Sequence, residues 1–321
     1  MNAGRHAAAL LGLVLAGTGV NASAQQFPAK AVRIIATDAG GGGDFAARLI
    51  ATGLASTFGQ PVVVENRGGG AGLVAITSVT GAVPDGYTLL VYGTTIWTLP
   101  FMQRVPYDPI RDLSPITLAV RSPNILVVHP ALPVKSVKDL IELAKARPGQ
   151  LNYGGSNIGS SPHLAAELFK SMARVDIVGV PYKGGAPAVV DLVAGSLQLM
   201  FATLPAARAQ INAGRLRAIA VTSAKPSLLF PELPTVGASL PGYEAVTVSG
   251  LFAPAKTPAT VINRLNRAAV DVLNKPEVKE KFLSAGVETV GNTPAEFAAV
   301  IKREMATMGK LIKDAGIRSE Q

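Results

Sequence analysis

Three loops carry the residue types best suited to holding an anion. They are Asp38-Ala39-Gly40-Gly41-Gly42-Gly43-Asp44, Gly68-Gly69-Gly70-Ala71-Gly72 with its flanks, and Gly154 to Ser161. Each follows a short β-branched or aromatic run and opens a helical pattern. Glycines let backbone amides come close to a ligand, and a helix N-terminus adds unpaired N–H groups and a positive dipole. Such a dipole contributes roughly 0.3–1 kcal/mol at a surface and up to about 2 kcal/mol when partly buried. Two loops of this kind facing each other would clamp a carboxylate. The plainer reading is that the glycines only make tight turns.

Other chemistries compete for the same residues. Gly41-x-Gly43-x-x-Ala46 follows a strand pattern, and Glu65 lies about twenty residues on, which fits a dinucleotide fingerprint. An NAD(P)-dependent oxidoreductase is therefore the alternative function. No Gly-Lys-Ser/Thr follows the glycines, so a P-loop does not fit, and no G-x-S-x-G elbow supports an esterase. The chain has no cysteine, which excludes thiolate metal sites, cysteine nucleophiles and disulfides. With three histidines and no H-E-x-x-H, no metal or other cofactor is expected.

The first residues read as an export signal. Arg5 and His6 precede an apolar run from Ala7 to Val20, too short to span a bilayer, and then Ala22-Ser23-Ala24. Export with cleavage after Ala24 is expected, away from the compartment that holds free nicotinamide cofactors. The formal charge of the chain is +9, yet Lys and Arg are scattered and aromatics make up 5%. That pattern favours small anions over nucleic acid.

The elements that must position the loops alternate in type, which predicts an α/β fold with mostly parallel sheets. Strands are expected at Val32–Thr37, 62–64, Tyr87–Tyr92, Ile125–Val128, 176–180, 197–201 and 216–221. Helices are expected from Asp44 to Phe58, with Phe45, Ala46, Leu49 and Ile50 facing inward, and from Pro162 to Met172. Ser136 with Asp139, and Thr293 with Glu296, mark two capped helix starts. Gly195 and Gly214 mark helix stops.

Over nearly the whole mature length the chain resembles the Bug family, the substrate receptors of tripartite tricarboxylate transporters. The likeness rests on the Asp38–Asp44 loop, Gln60-Pro61-Val62-Val63-Val64-Glu65-Asn66-Arg67, Pro84-Asp85-Gly86-Tyr87-Thr88-Leu89-Leu90, Pro106-Tyr107-Asp108-Pro109 and Leu151-Asn152-Tyr153. It continues through Val180-Pro181-Tyr182-Lys183-Gly184, Leu216 to Thr222, Glu232-Leu233-Pro234-Thr235-Val236 and Leu240-Pro241-Gly242-Tyr243. The resemblance implies a two-domain periplasmic binding protein of type II-like architecture with a hinge of two crossing strands. Domain I would span 25–123 and 247–321, and domain II 124–246. It implies a monomer that captures a small organic acid for the membrane components of such a transporter or for a sensor protein, and does no catalysis.

Within that frame the expected ligand-binding residues are Ala39, Gly40, Gly41 and Gly43 through their amides, and Ser156, Asn157, Ser160 and Ser161 from the facing loop. Asp44 is either a helix cap or a ligand-side group, and Ser161 either a donor or a cap. His163 is either structural or beside the ligand. Thr94 follows a strand end as a further donor. Trp97, the only tryptophan, either covers a flat ligand or fills the core. Lys183 is either solvated or a source of positive potential. Relative to the family, Gly43 replaces a hydroxyl residue, and Ala202 and Thr203 stand where Asp and Asn are frequent. The missing acid points to a ligand without an ammonium group, because an unpaired buried charge is very costly.

Overall fold

Alternating strands and helices build two sheets, each sandwiched between helices. The computed structural model describes residues 27–37, 42–68, 72–155, 159–182 and 185–318. In chain order the first half contains β1 (Val32–Ala36), α1 (Gly42–Phe58), β2 (Val62–Asn66), α2 (Leu73–Thr80), β3 (Thr88–Gly93) and α3 (Thr95–Met102). The long strand β4 (Leu113–Pro123) then runs through Asn124 into β5 (Ile125–Val128). There follow α4 (Val137–Ala146), β6 (Asn152–Gly155), α5 (Ser161–Ala173), β7 (Val178–Pro181), α6 (Gly185–Val193), β8 (Leu199–Ala202), α7 (Leu204–Asn212) and β9 (Arg217–Val221). The chain returns through β10 (Val246–Pro254) to α8 (Ala259–Asn274), α9 (Pro276–Ser284), β11 (Glu288–Thr289) and α10 (Pro294–Asp314).

The first sheet has the order β11-β4-β10-β3-β1-β2 and the second β7-β6-β8-β5-β9. Both are mixed, which corrects the expectation of mostly parallel pairing. β1 is parallel to β2 and β3, and β6 to β7 and β8. β10 is antiparallel to both β3 and β4, and β5 to both β8 and β9. The cause is topological: one strand pair carries the chain out of the first sheet and back. β4 and β10 pair from Leu113↔Pro254 to Pro123↔Val246, next to the step into β5.

Local signals placed the helices well. Ser136 and Thr293 each form a capping box, with Asp139 and Glu296 respectively. Gly195 and Gly214 sit at φ 82° and 66°, as helix stops require. Ala46, Ala47, Ile50 and Leu54 of α1 are buried against α8 and the first sheet. Phe45 differs from expectation: it turns 37% of its surface outward instead of into that core. Helices α3 and α10 span both halves. Trp97, Phe297 and Ile301 pack on the first sheet, whereas Leu99, Met102, Met308 and Leu311 join the core of the second. Gly250 makes this closeness possible, since a Cβ there would lie 2.2 Å from the Phe297 ring.

Candidate functional site

A cavity of about 330 Å³ opens where the start of α1 meets the start of α7 beside the crossing strands. That is near the lower end for small-molecule sites. Gly42 and Gly43 line it from α1, Thr203 and Pro205 from the start of α7, and Arg121, Ser122, Thr247 and Ser249 from β4 and β10. Thr203 is the N-cap of α7 but makes no side-chain cap bond. A Cβ on Gly42 would meet nothing within 4 Å, so the first turn of α1 faces open space. One wall is apolar: Phe45 stacks edge-on against Phe282 at 5.6 Å, with Val287 alongside. No acidic side chain lines the cavity among the described residues. Two helix starts, hydroxyls, one guanidinium and an apolar wall suit an organic anion.

A second, much smaller space of about 20 Å³ lies where α3, α5 and α10 meet. Thr94, Ser161, Glu244 and Glu304 line it. Its size fits one water molecule, which needs two to four polar partners. The Thr94 hydroxyl is buried without a hydrogen-bond partner among the described residues. Glu304 accepts a bond from the Trp97 indole N–H at 2.9 Å. Burial pushes the Glu304 carboxyl up to about 7, with the Trp97 bond opposing, Glu244 adding to the rise and Arg303 opposing it.

The expected site residues separate into several environments. Ala39, Gly40, Gly41, Ser156, Asn157 and Lys183 lie outside the described residues. Gly43 and Thr203 meet at the larger cavity. Ala202, at the end of β8, is fully buried. Thr94 and Ser161 meet at the smaller space, where Ser161 Oγ also accepts a bond from Asn124 Nδ2 at 2.9 Å. Ser160 occupies the N-cap position of α5 and Ser161 the first helical one, which corrects the reading of Ser161 as the cap. Asp44 is not a cap either, because α1 begins two residues earlier. Its carboxylate instead accepts bonds from Arg48 at 3.0 Å and from Asn66 Nδ2 at 2.9 Å, tying α1 to the end of β2.

His163 accepts a bond from the Gly159 N–H through Nδ1 at 3.2 Å, and burial lowers its pKa below the usual histidine value. A neutral imidazole therefore pins the turn that leads into α5. The Trp97 ring is fully buried beside Phe252 and Phe297. It fills the core and does not cover the cavity, because α3 turns it toward α10, where Glu304 satisfies its N–H. Glu65, the acid of the dinucleotide reading, is held by Arg67 at 2.7 Å and lies 3.7 Å from Arg33. The oxidoreductase alternative finds no support.

Residues not anticipated from the sequence include Arg121, Phe45, Phe282 and Glu304. Only Phe45 left a signal, as one apolar residue too many for the width of the α1 stripe. The others reach the site from distant chain segments.

Comparison with known proteins gives a consistent result. The chain matches the family described as "Tripartite tricarboxylate transporter family receptor" over residues 46–317. It is 36% identical over 319 residues to the UPF0065 protein in the tcbD-tcbE intergenic region of Pseudomonas sp. (strain P51), covering 97% of this chain and 95% of that one. Among solved structures, R. palustris Rpa4515 with adipate is 37% identical with a TM-score of 0.73, covering 92% of this chain and all of that one. The periplasmic binding protein BugD is 31% identical with a TM-score of 0.70, again covering 92% of this chain and all of the other.

Proposed function

Because the chain belongs to the tripartite tricarboxylate transporter receptor family, we propose that it is a periplasmic receptor that captures a small organic carboxylate in the cavity between Gly42–Gly43 and Thr203. The observation that carries this reading is the cavity itself. It joins two helix starts to an apolar wall and has no lining acid among the described residues. One carboxylate sits at the start of α1 against Gly42 and Gly43, with Ala39, Gly40 and Gly41 as further amide donors to it. Thr203 closes the opposite side, and Ser156, Asn157 and Ser160 serve as further donors to the acid. The apolar body of the acid lies along Phe45 and Phe282. A ligand with an ammonium group has no counter-charge there, and an unpaired buried charge is very costly.

Export with cleavage after Ala24 delivers the receptor to the periplasm. The first-sheet half, residues 25–123 and 247–321, and the second-sheet half, 124–246, then move about β4 and β10. The loaded receptor passes its acid to the membrane components of a transporter or signals to a sensor, and performs no reaction on it. A thermal-shift panel of mono-, di- and tricarboxylates, amino acids and NAD on the mature protein tests this reading. A bound acid at a hundredfold its dissociation constant adds about 2.7 kcal/mol of stability. A response to NAD with none to any carboxylate would sink the proposal.

A further inference from the structure

The receptor reading leaves Arg121 unexplained. This residue lies on β4 and lines the 330 Å³ cavity with its side chain 34% exposed. Its Nε donates to Glu288 Oε2 at 2.9 Å. Glu288 is 4% exposed, and its other oxygen accepts from the Ser227 hydroxyl at 2.5 Å and the Leu228 N–H at 2.9 Å. The carboxylate is thus held from three sides, and it fixes the guanidinium by one edge. Among the described residues the two terminal nitrogens of Arg121 donate no hydrogen bond. A guanidinium keeps its charge at any physiological pH and presents a planar fork that matches a carboxylate in two parallel bonds.

We propose that Arg121 is the specificity-determining residue of this cavity, binding a second anionic group of the ligand, with Glu288 as the residue that positions it. The inference rests on the receptor reading above. It adds that the acid is dianionic: one carboxylate sits at the start of α1 and the other on the Arg121 fork. The apolar spacer between them runs along Phe45 and Phe282. The pair Arg121–Glu288 is neutral as a unit, so an empty cavity does not bury a bare charge. The guanidinium still directs its N–H groups at the ligand. A monoacid of the same length leaves that fork without a carboxylate and gives up a charge-assisted bond.

The test is isothermal titration of the mature protein with succinate, glutarate, adipate and pimelate, each against the monocarboxylate of equal carbon number. It is run on wild type, Arg121→Lys, Arg121→Met and the double variant Arg121→Met/Glu288→Gln, which leaves no unpaired buried carboxylate. In wild type the preferred diacid binds roughly 10- to 100-fold more tightly than its monoacid. In the double variant the diacid loses far more affinity than its monoacid, so that the preference collapses to within about threefold, and Arg121→Lys falls between. If diacid and monoacid affinities drop together, or if the preference survives in the double variant, Arg121 does not read the second group and the receptor reading stands alone. If wild type binds neither series, the receptor reading fails and takes this assignment with it.

Discussion

Glu304 makes the stability of the fold depend on pH in a direction opposite to that of most carboxylates. Its pKa rises from the ordinary 4.5 to about 7, chiefly through burial, so the folded state holds this proton more tightly than the unfolded chain. Below pH 4.5 both states are protonated and the contribution is fully present. Between pH 4.5 and about 7 the unfolded chain releases its proton first, and stability falls as pH rises. Above 7 the loss is complete. At about 1.4 kcal/mol for each tenfold change in proton affinity, it reaches at most about 3 kcal/mol. Glu304→Gln keeps an acceptor for the Trp97 N–H and cannot ionise. The variant should therefore exceed wild type by up to about 3 kcal/mol at pH 8 and match it near pH 4.5. Trp97 is the only tryptophan and touches this carboxyl, so urea unfolding followed by its fluorescence reads the right place. The folded wild-type emission should also shift with a midpoint near 7, and the variant's should not. A wild-type minus variant difference that stays constant from pH 4.5 to 8 would refute the reasoning.

Three further outcomes follow from packing and hydrogen bonding. Gly53→Ala places a Cβ 2.3 Å from Val272 between α1 and α8, and should cost about 1–3 kcal/mol by overpacking, read as a lower urea midpoint with unchanged slope. Asp44→Ala removes the acceptor that ties Arg48 and Asn66 across α1 and β2, and should lower stability by about 1–3 kcal/mol; an unchanged midpoint would assign the carboxylate to some other task. Thr293→Ala breaks the capping box of α10 and should cost about 1 kcal/mol, with amide exchange accelerated in the first turn of that helix.

What the sequence made legible was local. The boxes at Ser136 and Thr293 and the stops at Gly195 and Gly214 each depend on residues a few positions apart, and all stand where the pattern put them. The α/β class was legible for a different reason, since alternation of strands and helices leaves few alternatives, whereas the two-domain arrangement came only from the family resemblance. Strand direction was not legible: whether β5 or β10 runs with or against its neighbours depends on where a distant crossover returns. Nor were the charged members of the site. Trp97 meets Glu304 across 207 positions, and Arg121 meets Glu288 across 167. No spacing rule links such pairs. Phe45 was misplaced because an apolar residue on a helix reads as core until a cavity is known to lie beside it. Ser161 lies one residue past the cap of α5 and Asp44 is already the third residue of α1, shifts that move a side chain from one set of partners to another.

The central claim is tested most directly by a crystal structure of the mature protein with the acid that gives the largest thermal shift. The account predicts that acid in the cavity beside Phe45 and Phe282, with one carboxylate at the first turn of α1 and Thr203 across from it. An acid bound elsewhere on the molecule, with this cavity left to solvent, would contradict it.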